Sequence, residues 1–86
     1  MSLRFIGVDP ESGQTGSPTI WIDDRTGDLI AQSYIVDEQT RAECVEKNAP
    51  GHDKVIPAGE AAVRIPAHMI PILREAIDAA ERAAVR

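Results

Sequence analysis

Few residues of this chain have side chains suited to chemistry, and their spacing matches no metal-binding motif. The two histidines are His52, in a Pro-Gly loop, and His68, beside Met69 near the start of a predicted helix. A zinc site takes about four ligands at short spacings, which one cysteine and two scattered histidines do not supply. We therefore interpret His52 as an exposed loop residue and His68 as a helix-terminal residue, and we predict no metal site.

The single cysteine, Cys44, neighbours Val45 on a short predicted helix, and no base lies near it in sequence. We expect a half-buried structural thiol, because a nucleophilic cysteine needs a partner that lowers its pKa. The nucleophile elbow of serine hydrolases and the glycine-rich loops that bind nucleotide phosphates are both absent. We predict no catalytic residue and no cofactor.

Gly13 and Gly16 give one polar loop the backbone freedom to surround an anion. No lysine follows them and no helix is predicted to start there, so we interpret the segment 10–18 as a flexible loop. An alternative stays open, in which the protein is a small ligand-binding domain or enzyme that uses the Gly13–Gly16 loop with Asp9 and His52.

Composition narrows the class of protein. The 86 residues carry 9 basic and 14 acidic side chains, for a net charge of −5, and 43% of them are hydrophobic. This apolar share favours a folded domain, and the acidic balance argues against direct nucleic-acid binding. No apolar run reaches the roughly 18 residues of a membrane span, and the N-terminus has no signal-peptide pattern, so we expect a cytoplasmic protein. A second alternative is an acidic, antitoxin-like protein that masks a basic partner.

The first half of the chain predicts a strand at 4–8 and a hairpin. The hairpin strands are 19–23 and 29–36, joined through Arg25, Thr26 and Gly27 as a three-residue loop. Pairing Asp24 with Asp28 in this loop places Ile22 opposite Ile30 and Trp21 opposite Ala31. Both sheet faces then carry apolar residues, so something is expected to cover each of them.

The second half predicts a short helix, a last strand and a long helix. Asp37 is a candidate N-cap for a helix over 38–47, and a strand is predicted over 61–65. The C-terminal helix, at about 67–84, has two apolar strips. We expect the large residues Ile70, Leu73 and Ile77 to face the sheet, which leaves Ile72 and the alanines of the second strip free.

These elements predict an α+β fold in a single domain over 1–86. We expect a small, mostly antiparallel sheet of three to four strands, a short helix after the main hairpin and a C-terminal helix on one sheet face. The predicted core comprises Ile20, Ile22, Ile30, Val36, Val63, Ile65, Ile70, Leu73 and Ile77.

Three segments resemble a group of small, uncharacterised actinomycete proteins: Ser17–Asp23, Gly27–Gln32 and Val63–Met69. Members of that group often accompany helix-turn-helix regulators in developmental and antibiotic-producing gene neighbourhoods. The resemblance covers most of the chain through strand and helix signatures, and it carries over no catalytic residue. It implies a regulatory or accessory role through protein contacts.

Surplus apolar surface in so short a chain predicts a non-catalytic interaction module. We expect it to form a homodimer or to dock on a protein partner such as a helix-turn-helix regulator. The predicted interface lies on the second sheet face and the second helix strip, and it comprises Trp21, Leu29, Ala31, Ile35, Ile72, Ala76, Ala79 and Ala83.

Overall fold

The computed structural model describes residues 2–13, 16–52 and 54–84. It has the predicted α+β fold, with two antiparallel sheets. The strands are β1 (Leu3–Val8), β2 (Thr19–Asp23), β3 (Leu29–Gln32), β4 (Tyr34–Ile35) and β5 (Val63–Arg64), and the helices are α1 (Glu38–Glu46), a 3-10 turn (Ala67–Met69) and α2 (Ile70–Ala84).

The chain divides into two compact units. The first comprises Met1–Ser33 and Ile65–Arg86, and the second comprises Tyr34–Arg64. The single-domain organisation expected from the chain length stays a prediction.

In the first unit, a three-stranded sheet in the order β1-β2-β3 packs against α2. The central strand β2 consists mainly of β-branched and aromatic residues, which favour a strand flanked on both edges. Its Ile20 and Ile22 are fully buried against Met69, Ala76 and Ala79. This small cluster is the core that fixes α2 on one face of the sheet, called here the inner face.

The hairpin between β2 and β3 forms as predicted, but its register differs by one residue. The Asp23 carboxylate accepts a hydrogen bond from the Arg25 backbone N–H (2.9 Å), and the Asp23 backbone N–H donates to the carbonyl of Asp28 (2.8 Å). The loop therefore has four residues, 24–27, with Gly27 at a φ of 82°. Because side chains alternate along a strand, this one-residue difference inverts every side chain of β3 relative to the prediction.

The observed register pairs Trp21 with Ile30 and Ile22 with Leu29. The predicted pairing of Ile22 with Ile30 is wrong. Ile30 consequently lies on the outer face of the sheet and is 39% exposed, although it was predicted to be in the core.

Helix α2 is rotated about its axis relative to the prediction. Ala76 and Ala79 of the second strip are buried in the core, whereas Ile70 and Ile77 of the large strip are 46% and 47% exposed. Small residues let the helix approach the sheet closely. Gly7 on β1 also allows this close packing of α2. A Cβ at position 7 would lie 2.8 Å from Cγ2 of Ile72, which is too close for two carbon atoms.

The predicted core is thus partly confirmed. Ile20 and Ile22 are its centre, and Ile65 and Leu73 pack against it. The β3 register leaves Ile30 exposed, and the rotation of α2 leaves Ile70 and Ile77 exposed. Two further predicted members belong to the second unit, where Val63 is exposed and Val36 is half-buried.

The second unit is a two-stranded antiparallel sheet, β4 with β5, and the helix α1. The Asp37 side chain accepts a hydrogen bond from the Thr40 backbone N–H (2.8 Å), which confirms the predicted N-cap. No residue of α1 is buried. Cys44 on this helix is exposed, so the expectation of a half-buried thiol is wrong.

Candidate functional site

A polar cluster at the C-terminal end of β1 brings together one predicted candidate and one unexpected partner. The Asp9 side chain is 3% exposed and lies 2.7 Å from Nε2 of His68, which is 59 residues away in sequence. Its carboxylate also accepts a hydrogen bond from the Glu11 backbone N–H (2.8 Å). The cluster therefore ties the loop after β1 to the 3-10 turn that precedes α2.

These contacts explain the electrostatics of Asp9. The Glu11 backbone N–H donates to the charged form of the carboxylate and is the main reason that the pKa of Asp9 lies below its ordinary value. Burial acts in the opposite direction, and the hydrogen bond and charge of His68 add to the lowering. Nδ1 of His68 lies 3.9 Å from Oε2 of Glu11, so two carboxylates flank this imidazole ring.

The same loop is held at its far end. The Asp9 backbone N–H donates to the carbonyl of Pro18 (2.9 Å), and Ser17 and Pro18 are buried. The Ser17 hydroxyl donates to the carbonyl of Gly13 (2.7 Å). The middle of the predicted flexible segment, Gln14 and Thr15, lies outside the described residues.

The alternative ligand site combined Asp9 and the Gly13–Gly16 loop with His52, and it stays a prediction. His52 belongs to the second unit, and the histidine that contacts Asp9 is His68. Within residues 2–13, 16–52 and 54–84, there is no ligand-sized cavity and no group of three or more metal-ligating side chains. The Asp9–His68 contact connects the end of β1 to the turn before α2.

A group of apolar side chains lies together on the outer face of the three-stranded sheet. The register aligns Phe5, Trp21 and Ile30 in one row across β1, β2 and β3, and Leu3 shares their face. We call these four residues the outer sheet patch. Phe5 is 59% exposed, Leu3 52% and Ile30 39%, while Trp21 is half-buried between its neighbours.

The patch is apolar. Its four side chains carry no charge, in a chain whose net charge is −5. Large apolar groups that lie together on a surface are typical of interaction sites, and tryptophan is enriched among residues that dominate binding energy. These four side chains can bury apolar area against a protein without desolvating a charge of their own.

The predicted interface residues are distributed over several surfaces. Trp21 lies in the outer sheet patch, as expected for an exposed second face. Leu29 and Ala31 are exposed but lie on the inner face, because of the one-residue difference in register. Ile35 is 79% exposed in the second unit.

The helix strip proposed for the interface is mostly inside the protein. Ala76 and Ala79 are buried, Ile72 packs against the core and Ala83 is half-buried. The prediction that this strip is free for a partner is wrong. Sequence reasoning also missed Phe5 and Ile30, because their exposure follows from the paired register of three strands.

Comparisons with known proteins assign this chain to no family. No family model, curated protein or solved structure matches the chain. In the described part of the chain, no helix has the length and apolarity needed to cross a lipid bilayer.

Proposed function

We propose that this protein is a non-catalytic interaction module that docks on a protein partner through the outer sheet patch. The observation that carries the proposal is the row of Phe5, Trp21 and Ile30, with Phe5 59% exposed. A chain that needed these residues only for its own core would bury them, as it buries Ile20 and Ile22 on the opposite face.

The energetics favour a partner of apolar character. Burying apolar surface contributes about 25 cal/mol per Å², and a large aromatic side chain presents some 150–250 Å². Phe5 and Trp21 are adjacent, so one apolar side chain from a partner contacts both. Such contacts depend little on salt, in contrast to those of an acidic protein that masks a basic partner.

The proposed partner is a transcriptional regulator of the helix-turn-helix class, and the proposed location is the cytoplasm. The partner class rests on the sequence resemblance, and the cytoplasm is where such a regulator would be met. The net charge of −5 supports docking on the regulator in preference to its DNA, because phosphates repel an acidic chain.

The test uses Phe5→Asn with Ile35→Asn as its matched control. Each change replaces a large apolar side chain that is more than half exposed, but only Phe5 belongs to the patch. Tagged wild-type and variant proteins are used to capture partners from the native host, and captured proteins are identified by mass spectrometry. The proposal expects a protein that is retained by wild type and by Ile35→Asn and lost with Phe5→Asn.

Fluorescence of Trp21, the single tryptophan, then tests the contact with the purified partner. Docking on the patch predicts a blue-shifted emission and reduced quenching by acrylamide, with an affinity that changes little as salt is added. Unchanged emission on binding contradicts the proposal. A steep loss of affinity with added salt also contradicts it, and favours recognition through the acidic residues.

A further inference from the structure

A second apolar surface runs along helix α2. Ile70, Leu73, Ile77 and Ala80 alternate at spacings of three and four residues, which is the a/d pattern of helices that pair in coiled coils. We call these four residues the α2 seam. Ile70 and Ile77 are almost half exposed, while Leu73 and Ala80 are partly buried where the seam meets the core.

The seam lies to one side of the core contact. At 100° per residue, its centre is roughly 100° around the helix from the buried alanines Ala76 and Ala79. Ile72 lies on the same side of the helix as these alanines and packs against Gly7 of β1.

We infer that a second copy of this chain packs its own α2 antiparallel against the α2 seam and forms a two-fold symmetric dimer. In this arrangement Leu73 of each copy packs against Ile77 of the other, and Ile70 packs against Ala80. Each of these layers buries apolar side chains from both copies.

Charge complementarity selects the second copy and its direction. Arg74 and Glu81 are both exposed and occupy the e positions that flank the seam. Two antiparallel helices bring e positions together on one side of their interface, and side chains lean towards the N-terminus of their own helix. Arg74 therefore leans towards Glu81 of the second copy, and two-fold symmetry forms this pair twice.

Neither residue already has an ionic partner among the described residues. Within one helix, Arg74 and Glu81 are seven residues and about 10 Å apart along the axis, so they do not pair with each other. A parallel arrangement places each e residue opposite a g residue. The g positions are Met69, Ala76 and Ala83, which offer no charge, so the ion pairs favour the antiparallel direction.

The first test is sedimentation equilibrium on the full chain and two variants. Wild type is expected to sediment at twice the 9.3 kDa chain mass at tens of micromolar. Ile77→Gln removes apolar contacts from both copies, and we expect it to raise the dissociation constant about a hundredfold. Phe5→Gln, which changes the outer sheet patch, is expected to leave the dimer intact.

The second test reverses the charges. Arg74→Glu and Glu81→Arg each replace two attractive pairs by two repulsive ones, and each is expected to weaken the dimer about tenfold. The double variant re-forms both pairs in the opposite sense and is expected to regain wild-type affinity. Circular dichroism checks that every variant folds.

The outcomes separate this inference from the proposed function. A monomeric wild type, or a dimer that Ile77→Gln leaves unchanged, overturns the α2 dimer without affecting partner docking. A dimer that Phe5→Gln dissociates places self-association on the outer sheet patch and also overturns it. A double charge variant that stays weak refutes the antiparallel direction.

Discussion

The close approach of α2 to β1 leads to a double-mutant prediction that tests the rotation of the helix. A Cβ at position 7 would lie 2.8 Å from Cγ2 of Ile72 and 3.3 Å from its Cδ1. Isoleucine in a helix has one strongly preferred χ1 rotamer, so this side chain cannot easily turn away. Gly7→Ala therefore forces the strand and helix apart.

The magnitudes follow from opposing terms. Overpacking costs about 1–3 kcal/mol, and replacing a strand glycine regains about 0.5–1 kcal/mol, so Gly7→Ala should destabilise by about 0.5–2 kcal/mol. Ile72→Ala removes a partly buried side chain and should cost about 1–2 kcal/mol. In the double variant the new methyl occupies vacated space, so its cost should be smaller than the sum by about 1 kcal/mol.

Urea unfolding of the four proteins measures this coupling directly. Ile77→Ala serves as the control, because Ile77 is exposed on another side of α2 and should couple to position 7 by less than about 0.5 kcal/mol. Two results would refute the observed rotation of α2. One is that the costs of Gly7→Ala and Ile72→Ala simply add, and the other is that Gly7→Ala couples to Ile77→Ala and not to Ile72→Ala.

Three further predictions concern the fold that supports the two surfaces. Ala76→Asp places an unpaired charge at a fully buried position, and it should destabilise the protein by more than about 3 kcal/mol in thermal unfolding. Its control is Ala42→Asp on the exposed helix α1, which should change the stability by less than about 0.5 kcal/mol. Ile22→Ala should cost about 2–5 kcal/mol in urea unfolding, and a smaller cost would mean that the core lies elsewhere. Because the pKa of Asp9 is lowered from 3.8, its stabilising effect is present above that pH and is lost as the pH falls through the lower folded value. The stability difference between wild type and Asp9→Asn should therefore shrink in acid, and a difference that stays constant there would contradict the account.

The α+β class and most element positions follow from local sequence signals. Turn residues, the Asp37 cap and the β-rich composition of β2 each act over a few residues, so they can be recognised in sequence. The sequence of a loop does not determine the length of the loop to within one residue. A four-residue loop in place of a three-residue one was enough to move Ile30 to the outer face.

The rotation of α2 was not predictable from its own sequence. Its apolar arc covers about half of the helix, so both strips were plausible contacts for a sheet. The choice depends on Gly7, which is distant in sequence and admits Ile72. Likewise, no periodic pattern connects Asp9 with His68, because the contact arises only when the 3-10 turn meets the end of β1.

Hydroxyl-radical footprinting of the free chain, at a concentration low enough to exclude dimers, tests most directly whether the sheet leaves its outer face uncovered. Phe5 and Leu3 should be oxidised readily, and Met69, although intrinsically more reactive, should be protected because it is fully buried. Addition of the partner should then protect Phe5. Protection of Phe5 in the free monomer would show that the chain covers this face itself, and would contradict a role in docking.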